Sequence, residues 1–375
     1  MFDNKFDLFI VLNNYAAEGC PRLALNLIDN FKKRDLKIML LTFNQDNSDL
    51  LEEFRKKEIT IKSLNLRNKG YYKYLRILYL IFLLSRKYRP YSILSFPFGW
   101  HSLIAIAAKV SGVKNVCTHA GNLAPKFGAN NFWKLNFLVQ LGRPFTNKII
   151  CCSKYVERSI IDSFYLNNSE VTNIYNCYDQ ELFAFKDDSK QKIKKAYLEK
   201  KIVLCMVARL EIHKDQETLI KAVKVLKEND FEIKLLLIGD GSKRHFLEEL
   251  TENLNLNNNV LFLGAINDVY KKLDEIDIFV FSTTEDEGFG IALAEAMGRG
   301  IPIIASNVGA CNEILRNGDF GLLFKPRSPI SISKSIEAVL KNQSITSKKI
   351  IAASKYAQNN FSKEKMSNLY FEELF

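Results

Sequence analysis

The sequence has no hydrophobic run long enough to cross a membrane. The longest apolar run, Leu75 to Leu84, is shorter than the ~20 residues that a membrane-spanning helix needs. Met1 to Phe6 is polar and does not read as a signal peptide. The seven cysteines include no C-x-x-C pair, and most of them lie in or beside apolar runs. We therefore expect a cytoplasmic protein with reduced thiols that does not span the membrane.

Two signatures of nucleotide and metal enzymes are also missing. No G-x-G-x-x-G follows the first predicted strand, so a dinucleotide-binding fingerprint is absent. No strand-end D-x-D stands out, because Asp274 and Asp277 have the wrong spacing for one. We expect neither a metal site nor a bound cofactor.

Acidic residues are scarce in one part of the chain. Residues 51–150 contain 17 Lys plus Arg against 3 Asp plus Glu, a net charge of +14, whereas residues 185–375 contain 28 against 27. A basic region suits an anionic membrane surface, a lipid-phosphate substrate or nucleic acid. Residues 66–90 within it predict a helix that ends before Pro90. We interpret this helix as part of the core, with insertion at a membrane surface as the alternative.

What is present is a strand and helix alternation that occurs twice. The chain is 375 residues long, about right for two domains that each bury a core. Apolar runs at Phe6–Leu12 and Lys37–Phe43 enclose a helical pattern at Arg22–Lys33, and Ile202–Val207 restarts the same order. The pattern predicts two α/β, doubly wound, Rossmann-like domains, with ligands at the carboxyl ends of the strands.

The densest group of polar residues follows a predicted strand that ends at Phe281. Glu287 lies in a loop with Gly288, Phe289 and Gly290, and Ile291 begins a predicted helix that carries Glu295. Glycines allow a ligand to approach the backbone, and free N–H groups at a helix start attract anions. Two carboxylates would repel a phosphate, so we expect them to accept hydrogen bonds from hydroxyls. A nucleotide sugar has both kinds of group.

These residues resemble the E-x7-E motif of GT4-type retaining glycosyltransferases (glycosyl transferases group 1). Ala208-Arg209-Leu210 with Lys214 resembles the Gly-Arg-Leu motif and its lysine, and Gly239-Asp240-Gly241 resembles the Gly-Asp-Gly turn. The match is strong from Ile202 to Phe324 and weak before Gly121, apart from topology. Cys177 and Ala208 replace glycines of the family pattern.

The resemblance implies a GT-B fold, in which two domains face each other across a cleft and the C-terminal helix crosses back to the first. We place an acceptor-binding domain at 1–185 with a returning helix at 357–375, and a nucleotide-sugar-binding domain at 186–356. The implied reaction moves a sugar from a UDP or GDP type of donor to a hydroxyl of a glycan or lipid-linked acceptor. The implied process is synthesis of cell-surface polysaccharide or lipopolysaccharide.

The resemblance also implies roles for individual residues. Arg209 and Lys214 would stabilise the diphosphate, and Glu287 would position the donor sugar. His119, at the predicted end of a strand, would meet that sugar from the first domain. The donor-binding set is Glu295, Gly288, Phe289, Gly290, Ile291 and Gly239. Glu18, Gly19 and Arg22 occupy the first loop, where the family carries an acceptor or phosphate loop, but only one glycine of its pair is present.

Two other functions fit parts of the sequence. A sugar-nucleotide epimerase on the same fold would convert the donor with no acceptor present. A basic nucleic-acid-binding protein would explain residues 51–150, but it would not explain Glu287, Glu295, Arg209 and Lys214 together. We therefore expect no nucleic acid partner.

Overall fold

The computed structural model describes residues 5–16, 18–44, 49–66, 72–129 and 131–375. The chain divides into two compact units, one formed by Met1–Asn176 with Lys363–Phe375 and the other by Cys177–Ser362. The chain passes from the first unit to the second at 176/177, whereas the boundary was predicted at 185/186. The chain re-enters the first unit at 363, where the sequence analysis began the returning helix at 357.

The first unit is built on a parallel sheet of seven strands in the order β3-β2-β1-β4-β5-β6-β7. All strands are parallel, but the order in which the chain adds them reverses between β1 and β4. The loops that leave the carboxyl ends of these two strands therefore diverge and form a crevice. The elements of this unit are β1 (Leu8–Leu12), α1 (Gly19–Lys32), β2 (Ile38–Thr42), α2 (Leu51–Lys56), β3 (Thr60–Ser63), α3 (Tyr72–Tyr88), β4 (Ser92–Ser95), α4 (His101–Val110), β5 (Asn115–Ala120), α5 (Phe132–Gly142), β6 (Lys148–Cys151), α6 (Lys154–Phe164), β7 (Val171–Asn173) and α15 (Lys363–Leu374).

Helix α3 falls within the stretch 66–90 that predicted a helix, of which residues 67–71 lie outside the described part of the chain. Ile77, Ile81 and Leu84 recur at the helical period and are buried against the sheet. The predicted core packing is thus confirmed for one face of α3. The opposite face is apolar too, and it is open to solvent.

The second unit is built on a parallel sheet of six strands in the order β10-β9-β8-β11-β12-β13, with the reversal between β8 and β11. Its apolar strands are buried on both faces because helices cover the sheet. The elements of this unit are α7 (Ser189–Glu199), β8 (Lys201–Val207), α8 (Gln216–Glu228), β9 (Glu232–Ile238), α9 (Arg244–Asn253), β10 (Val260–Gly264), α10 (Val269–Leu273), β11 (Ile278–Phe281), α11 (Ile291–Arg299), β12 (Ile303–Ser306), α12 (Gly309–Ile314), β13 (Leu322–Phe324), α13 (Pro329–Lys341) and α14 (Gln343–Asn360).

The cysteines and the helices also bear on the expectations from sequence. All seven cysteines are described; none forms a disulfide, and only Cys20 is not buried. Among the described residues, no helix is both long enough and apolar enough to span a bilayer.

Candidate functional site

The central feature of the second unit is an ion pair where β8 and β11 end. The Lys214 Nζ contacts the Glu287 Oε2, and the two side chains are only 13% and 9% exposed. Lys214 belongs to a short turn after β8, whereas Glu287 belongs to the loop after β11. Because β8 and β11 are neighbours at the sheet reversal, both loops leave the same edge. The structure therefore brings together two residues that the sequence analysis selected separately.

Two threonines hold the turn that carries Lys214. The carbonyl oxygen of His213 accepts hydrogen bonds from the Thr283 Oγ1 at 2.8 Å, the Thr284 N at 2.9 Å and the Thr284 Oγ1 at 3.2 Å. Asp215 follows in a left-handed conformation with φ +39°, and its Oδ1 accepts from the Thr218 Oγ1 at 2.8 Å. These bonds fix the backbone on both sides of Lys214, so the point from which its side chain extends is set by the threonines.

The glycines of the motif allow the turn that begins α11. Gly290 has φ +82°, and a Cβ there would lie 3.2 Å from the Phe281 Cε1, so an L side chain is disfavoured on both counts. The backbone N–H of Phe289 donates to the Glu287 Oε1 at 3.4 Å, and Gly288 and Phe289 are buried. Ile291 begins α11 as predicted, and the first N–H groups of this helix point out of its end without intrahelical acceptors.

Gly239 and Gly241 allow two loops to touch. A Cβ on Gly239 would overlap the Ala208 carbonyl oxygen, and one on Gly241 would lie 2.5 Å from the Leu210 carbonyl oxygen. Arg209, between these contact points, has an exposed side chain, and its carbonyl oxygen accepts from the Gln216 Nε2 at 2.9 Å. Close backbone contact thus fixes the main chain at Arg209 and leaves the guanidinium at the surface.

Glu295 lies inside α11, one turn beyond its start, and is partly exposed between buried Ala294 and Ala296. The pKa of His213 is lowered by burial and by the nearby Lys214 ammonium, with Arg209 adding to the effect. Lys214 and Arg209 therefore both lie close enough to His213 to act on it electrostatically.

In the first unit, a cavity of about 460 Å³ lies at the crevice between β1 and β4. Its lining combines polar and aromatic residues, including Asn13, Glu18, Phe96, Trp100, His119 and Leu135. His119 was predicted at the end of a strand, directly after Thr118, and it lies inside β5, which continues to Ala120. The reason is that His119 and Ala120 pair in register with Ile150 and Cys151 of β6.

His119 is held as a neutral imidazole. Its side chain is 2% exposed, and burial lowers its pKa to about 4. The Nδ1 lies 2.8 Å from the hydroxyl of Tyr370 on α15. A Cβ on Gly121 would lie 3.1 Å from the His119 Nε2, so the glycine makes room for the ring. A neutral imidazole can donate or accept a hydrogen bond but does not carry charge at pH 7.

The first loop differs from its predicted form. Helix α1 begins at Gly19, so Gly19 and Arg22 lie in its first turn, whereas the sequence analysis placed Gly19 in the loop and began the helix at Arg22. Glu18 precedes the helix and lines the cavity, while Gly19 and Arg22 are exposed. Ala17, in the same loop, lies outside the described residues.

Sequence reasoning missed three residues that support these sites. Thr283 and Thr284 form part of a polar run after a buried strand, which was a usable signal. Tyr370 had no such signal, because it reaches His119 from 251 residues further along the chain.

Comparison with known proteins gives matches along nearly the whole chain. Residues 17–182 match the family described as Glycosyltransferase Family 4, and residues 187–358 match Glycosyl transferases group 1. The N-acetyl-alpha-D-glucosaminyl L-malate synthase of Bacillus anthracis is 28% identical over 54% of this chain and 53% of its own length. A Campylobacter jejuni 4-alpha-N-acetylgalactosaminyltransferase, named for a diphospho-undecaprenol acceptor, is 27% identical over 64% of this chain and 65% of its own. The chain thus spans between half and two thirds of the length of these relatives.

Solved structures extend the likeness to full length. Anabaena HepE, crystallised in complex with UDP, superposes with a TM-score of 0.81 over 98% of both chains at 18% identity. At this identity the likeness concerns the fold.

Proposed function

Because this chain has the GT-B fold and belongs to the GT4-type group 1 glycosyltransferases, we propose that it transfers a sugar from a nucleoside diphosphate sugar to a hydroxyl acceptor with retention of configuration. The reaction breaks the bond between the anomeric carbon and a phosphate oxygen. The acceptor oxygen attacks on the same face within an ion pair and its proton passes to the departing phosphate oxygen, so no covalent carboxylate intermediate is needed.

The observation that carries this proposal is the buried pair of Lys214 and Glu287 beside the start of α11. A cation, a carboxylate and the N–H groups at a helix start, all at one sheet edge, match the phosphates and the hydroxyls of a nucleotide sugar. The cation stabilises phosphate charge, the carboxylate accepts hydrogen bonds from hydroxyls, and the N–H groups bind either. A nucleic-acid site would not need the carboxylate.

Each candidate residue has a part in the proposed reaction. Arg209 and Lys214 stabilise the diphosphate leaving group, which gains negative charge as the glycosidic bond breaks. Glu295 binds the ribose hydroxyls, and Glu287 positions the donor sugar with the backbone of Phe289–Ile291. Two cations can neutralise a diphosphate without a metal, so the proposed reaction uses neither metal nor cofactor. The part assigned to His119 is a prediction from sequence.

We propose UDP as the nucleotide, because the structurally similar HepE was crystallised with UDP. A lipid-linked acceptor for cell-surface glycan synthesis is supported by the diphospho-undecaprenol in the name of the Campylobacter relative. Independently of the transfer reaction, we propose a cytoplasmic location with peripheral attachment to an anionic membrane, as the basic first half of the chain suggests.

A thermal-shift screen of UDP, GDP and their sugar conjugates tests the proposal. A ligand present at ~100 times its dissociation constant stabilises the native protein by about 2.7 kcal/mol. We expect a shift with a UDP-sugar, and loss of that shift in Arg209→Ala and in Glu295→Ala. Glu249→Ala, an exposed glutamate of α9, serves as the control. If both site variants bind and transfer like the parent protein, the assignment is wrong.

A second experiment separates the transferase from an epimerase on the same fold. An epimerase would interconvert the donor sugar with no acceptor present, whereas a transferase would leave the sugar unchanged. Incubation of the bound UDP-sugar with enzyme alone, followed by analysis of the sugar, distinguishes the two activities.

A further inference from the structure

Two helices of the first unit carry rows of apolar side chains that face solvent. On α3 the row is Tyr72, Leu75, Tyr79 and Leu83, which are between 42% and 65% exposed. On α5 the row is Trp133, Phe137 and Leu141, between 43% and 66% exposed. Spacings of three and four residues place each row on a single helix face. Isolated exposed apolar residues are ordinary, but two aligned rows indicate an interaction site.

The two rows belong to one continuous surface. Helices α3 and α5 both pack on α4, most of whose residues are buried. Their first turns also meet, because the Lys134 Nζ of α5 lies 5.6 Å from the Tyr74 ring of α3. Phe127, 73% exposed, extends the surface through edge contacts with Phe132 and Trp133. We call this the α3–α5 surface.

The charges on this surface have one sign. The sequence contains no Asp or Glu between Glu58 and Glu157, a stretch that includes all of α3, α4 and α5. Lys73, Arg76, Lys126 and Lys134 stand among or beside the exposed apolar residues. A second copy of the same surface would be repelled, while an anionic partner would be attracted. A nucleic acid would satisfy the cations but not the leucine and phenylalanine side chains.

We propose that the α3–α5 surface binds an anionic lipid bilayer, with the apolar rows inserted among the headgroups and the cations against lipid phosphates. Tyrosine and tryptophan suit this depth because each has an apolar ring and a polar group. Helices that lie in the interface combine an apolar face with basic residues in the same way.

The surface also adjoins the cavity of the first unit. Trp100 lines the cavity. The centroid of its ring lies 5.0 Å from that of Tyr74 and 4.8 Å from the Lys73 Nζ. Leu135 of α5 lines the cavity from the other helix. An acceptor anchored in the bilayer therefore reaches the cavity along apolar side chains without crossing water. This step rests on the proposed function, whereas bilayer binding itself does not.

Cosedimentation with vesicles of phosphatidylglycerol and phosphatidylcholine at a ratio of about 1:2 tests bilayer binding. In Lys126→Ser/Lys134→Ser we expect affinity to fall roughly 30-fold, because each basic residue near such a surface contributes about 1 kcal/mol. In Tyr79→Ser/Phe137→Ser we expect a loss of at least ~10-fold. Binding of the parent protein should weaken as NaCl is raised, and vesicles of phosphatidylcholine alone should bind far less.

Matched variants in the second unit control for overall charge and apolarity. Lys194→Ser/Lys195→Ser removes the same charge from exposed positions of α7, and Leu198→Ser/Ile345→Ser removes two other exposed apolar side chains. Both should bind vesicles like the parent protein. If vesicle affinity falls equally in the surface variants and the control variants, the proposal is overturned. The same holds if the parent protein binds phosphatidylcholine vesicles as tightly as anionic ones. Dissociation of a dimer by Tyr79→Ser/Phe137→Ser, with no vesicle binding in the parent, would assign the surface to a second copy.

UDP binding provides an independent readout. UDP affinity should be the same in all four double variants, because none of the substituted residues belongs to the loops after β8 and β11 that carry Lys214 and Glu287. Vesicle binding without UDP binding would refute the proposed function and leave the bilayer surface intact. UDP binding without vesicle binding would refute the bilayer surface and leave the proposed transfer reaction intact.

Discussion

The ion pair between Lys214 and Glu287 gives the sharpest test of the second unit. Both side chains are nearly buried, so each charge depends on the other for the interactions that water would supply. Replacing Lys214 with Met removes the cation and leaves an unpaired carboxylate. Replacing Glu287 with Gln leaves an unpaired ammonium group. The double variant removes both charges and keeps most of the volume.

The size of the effect follows from burial. Two unit charges about 3 Å apart attract by about 5 kcal/mol at an effective dielectric constant of ~20, before the cost of desolvation. Loss of one partner from a buried pair costs about 3–5 kcal/mol, whereas removal of both is much less harmful. We expect each single variant to lower the free energy of unfolding of the second unit by about 3 kcal/mol. The double variant should lose far less than the sum, with a coupling energy of at least ~2 kcal/mol.

The assay must follow the second unit by itself. Both tryptophans, Trp100 and Trp133, lie in the first unit, so tryptophan fluorescence does not report on it. Native-state hydrogen exchange of peptides from β8 and β11 does, because these strands flank the pair. The control pair is Lys221 with Glu217 on α8, whose side chains are 44% and 42% exposed. Its coupling energy should be about 0.3–0.5 kcal/mol.

The binding of UDP adds a second, directional readout. If Lys214 leaves Glu287 to meet a phosphate, Glu287→Gln frees the ammonium group and UDP affinity should hold or rise. Lys214→Met should lower it. A buried-pair coupling no larger than that of the exposed control would refute the energetic reasoning. Weaker UDP binding in Glu287→Gln would refute the exchange of partners.

Two further predictions concern packing and pH. Gly298→Ala should destabilise the second unit by about 1–3 kcal/mol, although alanine favours a helix, because a Cβ there would lie 2.5 Å from the Tyr178 hydroxyl oxygen. Adding Tyr178→Ala should restore part of the stability measured by hydrogen exchange. If stability does not recover, the strain lies elsewhere. Burial lowers the pKa of His119 to about 4, so as the pH falls below about 6.5 the histidine takes up a proton in the unfolded state before it does so in the folded state. The free energy of unfolding of the first unit should therefore fall by about 2 kcal/mol from this group by pH 5. His119→Gln should flatten the pH profile of tryptophan-detected unfolding. The part due to His101 of α4, whose pKa burial lowers to about 3, should remain, and an unchanged slope would contradict the assignment.

The sequence was sufficient for the elements whose signal is local. Strands buried on both faces appear as continuous apolar runs, which located β1, β8 and β11 to within a few residues. Helix α11 begins and ends where predicted, at Ile291 and Arg299, because glycines stand at both ends. In the first unit, β5 continues to Ala120, two residues beyond the Thr118 at which the strand was predicted to end, because pairing with β6 extends it.

The environment of each site residue was not predictable in the same way. Lys214 and Glu287 are 73 residues apart, and their contact depends on β8 and β11 being neighbours in the sheet. The neutral state of His119 depends on its burial beside α15, from the far end of the chain. Motif spacing identifies residue types, while charge state and pairing come from tertiary contacts.

The threonines at the end of β11 show what this difference means for mechanism. Thr283 and Thr284 bind a backbone carbonyl, so any residue at position 213 would be held as His213 is. Their hydrogen bonds fix the backbone position of the next residue, Lys214, and the ion pair with Glu287 fixes the position of its ammonium group. A phosphate arriving at this edge competes with Glu287 for the ammonium group, which also lies 5.3 Å from the Phe281 ring, whereas the backbone bonds need not break. The cost of donor binding is therefore concentrated in one ion pair, which is why its coupling energy is the quantity to measure.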